Sequence, residues 1–153
     1  MAGILVNVLR RQVIQIPNVS GSSEFMWPLL AQTIDALGWV SGTLIVSVYA
    51  QAFTYTSGTP KLKFFVANTM LSPDDPSKLV IETGGDALAQ VEVAPGTSTQ
   101  PALYTAKIPT PTTGRPYPAI GRYLGVGMSL TAGGANSTGG DITVAIDLVG
   151  RDA

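Results

Sequence analysis

The chain has 153 residues and a formal net charge of −1, with 9 Lys and Arg against 10 Asp and Glu. It leaves no basic excess to neutralise a phosphate backbone, so we expect no nucleic-acid partner. The sequence contains no histidine and no cysteine, which excludes Ser–His and Cys–His catalysis, thiolate zinc sites and disulfides. We therefore expect a protein that is not an enzyme and that binds no cofactor or metal.

The low charge content favours a protein that works in an assembly. Charged residues make up 12% of the chain, against about 25% in a typical soluble domain. Permanent interfaces are depleted of charge, so such a surface suits a subunit that covers much of itself with neighbours. A secreted β-domain with a neutral polar surface is the alternative. No apolar run reaches the roughly 20 residues of a membrane span, and the N-terminus does not have the charge order of a signal peptide.

The first forty residues predict short strands and one apolar cluster. "ILVNVL" and "VIQI" alternate and predict two strands in an extended N-terminal segment. Phe25, Met26 and Trp27 follow in an irregular stretch, where they either close one end of the core or anchor a partner. "LLAQTIDALGW" is compatible with a short helix or with a strand through Thr33–Leu37.

The next strand, "TLIVSVYAQAFTYT", alternates over its whole length. This pattern predicts two faces, one with Leu44, Val46, Val48, Ala50 and Ala52, the other with Tyr49, Phe53 and Tyr55. The aromatic face is the kind of platform that binds sugars, but it equally fits packing against a second layer or a subunit.

Four further alternating runs predict strands between turn clusters: Lys61–Ala67, Lys78–Thr83, Leu88–Ala94 and Ala102–Ile108. Asp74 and Asp75 stand between prolines, which favours a turn over a calcium loop because further oxygen ligands are missing. A carboxylate pair for glycoside hydrolysis, drawn from Glu24, Glu82, Asp86 and Glu92, is an alternative without a recognisable motif.

The segment after the last of these runs is rich in proline and should be extended. It either lies along a partner or crosses between two sheets. Its candidate contact residues are Pro109, Pro111, Arg115, Pro116 and Tyr117.

The C-terminal third has the clearest pattern. "RYLGVGMSL" and "DITVAIDLV" predict two strands whose apolar faces include the core residues Leu124, Val126, Val144 and Ile146. Gly125 and Gly127 fall on the opposite face of the first strand, where glycine predicts close approach of another backbone.

The loop between these strands, "AGGANSTGGD", is rich in glycine. A phosphate-binding loop lies between a strand and a helix, whereas a strand follows here. The sequence therefore predicts a hairpin connection with a flexible tip, whose Asn136 can touch a neighbouring subunit.

Together the eight or nine predicted strands indicate an all-β fold, an antiparallel β-sandwich of the jelly-roll type. No repeat or linker divides the chain, so residues 1–153 are predicted to form one jelly-roll-like domain.

Two stretches resemble a known family. "GRYLGVGMSLTAGG…GDITVAIDLV" is similar to the final hairpin of small cement, or decoration, proteins of tailed bacteriophage capsids. "IDALGWVSGTLIVSVYAQAF" also looks like their pattern of an Ile-Asp and a glycine before a long strand.

The resemblance implies a structural virion protein on the capsid exterior, which docks as a homodimer or homotrimer onto assembled major capsid protein and stabilises the shell. The alternative is a carbohydrate-binding β-sandwich module, free or part of a viral spike. We expect the contacts of an assembled subunit to come from a set of apolar and proline-rich positions: Ile4, Val6, Phe25, Met26, Trp27, Pro109, Pro111, Arg115, Pro116, Tyr117 and Asn136.

Overall fold

A computed structural model describes residues 3–28, 30–31, 33–71, 79–81, 87–110 and 119–152. Within these ranges the chain is all-β and contains no helix. The strands, in chain order, are β1 (Gly3–Ile16), β2 (Glu24–Met26), β3 (Ile34–Asp35), β4 (Trp39–Thr56), β5 (Lys61–Leu71), β6 (Leu79–Ile81), β7 (Ala89–Val93), β8 (Thr97–Ser98), β9 (Ala102–Ile108), β10 (Tyr123–Thr131) and β11 (Asn136–Asp152).

The strands form two antiparallel sheets. The five-stranded sheet has the order β1-β11-β4-β8, with β9 also pairing with β4. The six-stranded sheet has the order β2-β10-β5-β6, with β3 also pairing with β10 and β7 with β5. The prediction of an antiparallel all-β fold is confirmed.

One hydrophobic core takes side chains from both sheets. Leu124 and Val126 of β10 and Val144 and Ile146 of β11 are at most 1% exposed, which confirms the core predicted from the two C-terminal strands. Full burial of each such side chain contributes about 1.5–3 kcal/mol. The largest fully buried side chains are Phe53, Phe64, Leu44, Leu62, Leu88, Ile108, Leu124, Met128, Leu130, Ile142, Ile146 and Leu148.

The N-terminal segment is one long strand instead of two short ones. β1 pairs with β11 over its whole length, from Gly3 opposite Arg151 to Ile16 opposite Gly140. Its register with β11 shifts between Asn7 and Leu9 and again between Leu9 and Gln12. These β-bulges interrupt the alternation in the middle of the strand, which is why the sequence suggests two separate runs.

A third bulge corrects the predicted faces of β4. Val48 lies opposite Val144, but Ala50 lies opposite Thr143, so Tyr49 is an extra residue on β4. Because side chains alternate with period two, one extra residue exchanges the two faces beyond it. Phe53 is therefore 1% exposed and part of the core, and Ala52 is exposed.

The predicted aromatic face is consequently wrong as a set. Tyr49 is half-buried and lies beneath the guanidinium of Arg11, 4.2 Å from its ring centroid. Tyr55 is 41% exposed, and its ring lies 5.9 Å from that of the buried Phe53. The three rings do not form one exposed platform.

The glycine-rich loop is not a hairpin connection. β10 belongs to the six-stranded sheet and β11 to the five-stranded one, so the chain crosses between sheets at residues 132–135. Gly134 N–H donates to the carbonyl of Gly21 at 2.8 Å, and Thr59 N–H donates to that of Gly133 at 3.0 Å. Ala132 and Ala135 are fully buried, so this corner is packed between two neighbouring segments.

Two other predictions differ in detail. In the stretch left open between helix and strand, the described residues include a short strand, Ile34–Asp35, which pairs with Leu124 and Tyr123 of β10, and β4 begins at Trp39. Gly127 is covered by the ring of Phe65 on β5, not by another backbone. Four carboxylates of the predicted turn and of the alternative calcium loop and carboxylate pair lie outside the described residues: Asp74, Asp75, Glu82 and Asp86.

Candidate functional site

The free edges of the two sheets lie side by side on one side of the molecule. β1 is the edge strand of the five-stranded sheet, and β2 and β3 pair with the edge of β10 that faces away from β5. Residues 17–23 join the end of β1 to the start of β2. We call the surface formed by β1, β2 and β3 the open edge.

The exposed apolar side chains concentrate on this surface. Nine large apolar side chains are exposed in the described part of the chain, and five of them lie on β1 or β2. Leu5 is the most exposed of these at 67%. Unpaired strand edges of this kind are templates for pairing with another chain. The five are Ile4, Leu5, Val13, Phe25 and Met26.

A shallow cleft separates the two edges at one end of the molecule. Its volume is about 540 Å³. One wall is the β1 segment Val6–Val8 and the other is made by Ala31, Thr33, Ile34 and Asp35. The described residues that line the cleft are apolar or small and polar, apart from the charged Asp35.

At the other end of the open edge, the side chains of the predicted apolar cluster on and next to β2 point to both faces of the six-stranded sheet. Phe25 lies opposite the core residue Leu130, and its ring meets that of Trp27 edge-on at 4.7 Å and 84°. Trp27 is half-buried and packs against the core. Met26, 52% exposed, lies opposite Ser129 on the outer face. The cluster therefore both closes the core and leaves apolar surface exposed.

An ion pair holds β3 beside the start of β10. Arg122 Nη2 lies 3.2 Å from Asp35 Oδ2, and the other carboxylate oxygen of Asp35 accepts a hydrogen bond from Leu37 N–H at 3.1 Å. The hydrogen bond from Arg122 and that from Leu37 hold the pKa of the Asp35 carboxyl below its ordinary value of 3.8. Asp35 and Arg122 belong to the two stretches, "IDALGW" and "GRYLGVG", that resemble cement proteins, so the fold brings these stretches together.

On the outer face of the five-stranded sheet, β1 contacts Asp147 of β11 and Tyr49 of β4. Asn7 Nδ2 donates to Asp147 Oδ1 at 2.8 Å. Arg11, four residues along β1, lies over the ring of Tyr49. Both Asn7 and Arg11 therefore point to the outer face, away from the core, and neither Arg11 nor Asp147 has an ion-pair partner among the described residues.

The predicted contact residues fall into separate regions. Ile4 and Val6 of β1 share the open edge with Phe25 and Met26 of β2, and Trp27 follows directly after β2.

Pro109 follows β9 at the opposite edge of the five-stranded sheet, where Thr110 N–H donates to Leu88 O at 2.7 Å. Asn136 is exposed at the start of β11. Pro111, Arg115, Pro116 and Tyr117 lie outside the described residues.

Sequence reasoning predicted contacts around Ile4–Val8 without singling out Leu5, and it missed Val13 as a member of this surface. The alternation places them on the face opposite Ile4, but the sequence does not show that β1 is an edge strand. That follows only from the pairing of β11 with both β1 and β4.

Two kinds of feature are absent from the described residues. No three Asp, Glu, His or Cys side chains there are grouped as they would be around a metal ion. No helix in those ranges is long and apolar enough to cross a membrane.

Comparison with known proteins adds no identification. A scan against protein-family models matches none of them, and a search of curated proteins gives no significant match. The class that the structure itself defines is an all-β protein of two antiparallel sheets with an apolar open edge.

Proposed function

We propose that the chain is a capsid decoration, or cement, protein: a non-enzymatic β-sandwich of the jelly-roll type that forms a homo-oligomer on the exterior of an assembled tailed-phage capsid and stabilises it. The observation that carries the proposal is the apolar open edge, which gathers five of the nine exposed large apolar side chains of the described residues on two unpaired sheet edges. A surface of this composition is suited to being covered in an assembly.

The resemblance of two stretches to cement proteins directs the proposal to capsids. In the fold these stretches are in contact through β3 and β10 and through the ion pair of Asp35 with Arg122. Their juxtaposition supports a resemblance that extends to one structural unit, not only to two short sequence patterns.

A carbohydrate-binding module is less well supported. An aromatic platform would require Tyr49, Phe53 and Tyr55 to lie on one exposed face. Phe53, however, is only 1% exposed. Tyr49 is half-buried on the outer face of its sheet beneath Arg11. The remaining exposed ring, Tyr55, does not make a flat binding surface by itself.

The proposal is tested by co-sedimentation of the purified chain with capsid shells. The shells are expanded, free of DNA and assembled from the major capsid protein that is encoded in the same genome as the chain. We expect the chain to be an oligomer when alone and to pellet with the shells. Because few ion pairs are available for salt to screen, the fraction bound should change little between low and high salt.

A chain that stays monomeric and never pellets with shells contradicts the proposal. A glycan array probed with the same preparation then tests the carbohydrate-binding alternative, and specific binding to a glycan would replace the proposed function.

A further inference from the structure

We infer that the open edge is the self-association surface of the protein, and that two copies pair β1 with β1 antiparallel about a two-fold axis through Leu9. The inference deepens the proposed function, and it rests on that function in so far as a decoration protein must self-associate. The inference specifies which strands of the two copies are in contact and in which register they pair.

The free edge of β1 is long enough for such pairing but is not uniform. The two register shifts between Asn7 and Gln12 divide it into two regular halves, Gly3–Asn7 and Gln12–Ile16. Arg10 and Arg11 lie between them. Bulges and basic residues in the middle of an edge strand oppose indiscriminate pairing, so a partner strand must match both halves.

A second copy of β1 meets this requirement in one register. With Leu9 on the two-fold axis, Leu5 of one copy lies opposite Val13 of the other, and Ile4 lies opposite Ile14. Leu5 and Val13 both point to the outer face, since they pair with Val149 and Thr143, whereas Ile14 pairs with the core residue Ile142. Matching of faces is necessary because side chains alternate across a strand.

The charges are complementary in the same register. Asn7 of one copy lies opposite Arg11 of the other, and Asn7 already donates to Asp147. Arg11 of one copy therefore comes beside Asp147 of the other, twice per dimer because the interface is isologous. A register with Arg10 on the axis would instead place two arginines directly opposite each other, which is unfavourable.

The rest of the open edge also gains a partner in this arrangement. β2 lies near the end of β1 that holds Ile16, and the 540 Å³ cleft lies beside Val6–Val8. A two-fold axis across the middle of β1 reverses these ends, so Phe25 and Met26 of each copy are brought toward the cleft of the other. The exposed apolar side chains of β1 and β2 thereby come next to the partner copy.

Cysteine cross-linking tests the register directly, because the chain contains no cysteine. Paired residues of antiparallel strands have Cα atoms about 4.5–5.5 Å apart, within the range that a disulfide spans. We expect a mixture of the Leu5→Cys and Val13→Cys variants to give a disulfide-linked dimer under mild oxidation. Either variant alone should give little, because its cysteine has no counterpart opposite.

Leu103→Cys is the matched control, since Leu103 is 68% exposed but lies on β9 at the far edge of the same sheet. Its mixture with Leu5→Cys should give no dimer above background. Equal cross-linking in this control, or preferential linkage of Leu5→Cys to itself, contradicts the proposed register.

A charge exchange provides an independent test by sedimentation. Asp147→Arg should raise the dimer dissociation constant by about three- to tenfold, as expected for loss and reversal of exposed pairs. The double variant Arg11→Glu/Asp147→Arg should restore most of the affinity, whereas failure of restoration contradicts the pairing.

The outcomes separate this inference from the proposed function. Shell binding without the Leu5–Val13 cross-link overturns the two-fold β1 contact alone. A wild-type chain that is monomeric and does not bind shells overturns both.

Discussion

The ring of Phe65 covers the backbone of Gly127 on the outer face of the six-stranded sheet. The two residues lie directly opposite each other on β5 and β10, and a methyl group added to Gly127 would lie 2.7 Å from Cε2 of the ring. Phe65 thus occupies the space that a side chain on β10 would take. In this way the middle of β10 is buried on both faces although its outer face has glycine at positions 125 and 127.

This relationship predicts the effect of Gly127→Ala. The added methyl group must displace the Phe65 ring, so the substitution should lower the free energy of unfolding by about 1–3 kcal/mol, as for overpacking elsewhere. In a Phe65→Ala background the space is free, and the same substitution should be neutral or stabilising because glycine weakens a strand. Urea denaturation of the four proteins in this double-mutant cycle measures the coupling. Equal costs in the two backgrounds would show that the ring does not determine the choice of glycine.

Val144→Asp should be severely destabilising. Val144 is fully buried in the core, and an unpaired carboxylate there should cost several kcal/mol, on the order of 3 or more. Thr143→Asp is the matched control, because Thr143 is the neighbouring residue on β11 but points to the outer face. It should change stability much less. Comparable losses in the two variants, measured by thermal or urea unfolding, would contradict the observed faces of β11.

At the corner between the sheets, alanine substitutions of two adjacent glycines should differ in how much they destabilise the fold. Gly133 and Gly134 both have positive φ, +58° and +84°, so alanine at either position costs about 1–2 kcal/mol in backbone strain. At Gly134 a Cβ would have open space, whereas at Gly133 it would lie 2.7 Å from the carbonyl carbon of Thr59. Gly133→Ala should therefore be the more destabilising substitution, since backbone must move to accommodate it. Equal unfolding midpoints for the two variants would be inconsistent with this packing.

The ion pair of Asp35 with Arg122 predicts a pH dependence. Because the folded-state pKa of Asp35 lies below its ordinary value of 3.8, the ionised carboxylate stabilises the fold. The contribution is complete above the ordinary value and is lost as the pH falls through the lower, folded-state pKa. In Arg122→Gln the pKa of Asp35 should rise toward its ordinary value, but not fully, because the hydrogen bond from Leu37 remains. Carboxyl titration by NMR measures this shift, and an unchanged Asp35 titration in the variant would exclude Arg122 as its main cause.

The sequence by itself determined the fold class and much of the core. Strict alternation in β10 and β11 identified Leu124, Val126, Val144 and Ile146 as core residues, because successive side chains of a regular strand point to opposite faces and the apolar ones share a face. The low content of charged residues also indicated a surface suited to contacts with other subunits. These inferences depend only on local periodicity and on amino-acid composition, and both can be read from the linear sequence.

Only the tertiary structure decided where that periodicity breaks and which strands are neighbours. The extra residue Tyr49 moved Phe53 from the predicted outer face into the core, because a bulge depends on the register with β11. The glycine-rich loop joins two sheets, since β11 pairs with β1 and β4 instead of β10. For the same reason the sequence did not show that β1 has a free edge, or that the open edge exists. A strand is an edge strand when no other strand pairs with one of its sides, and strand pairing depends on residues far apart in the sequence.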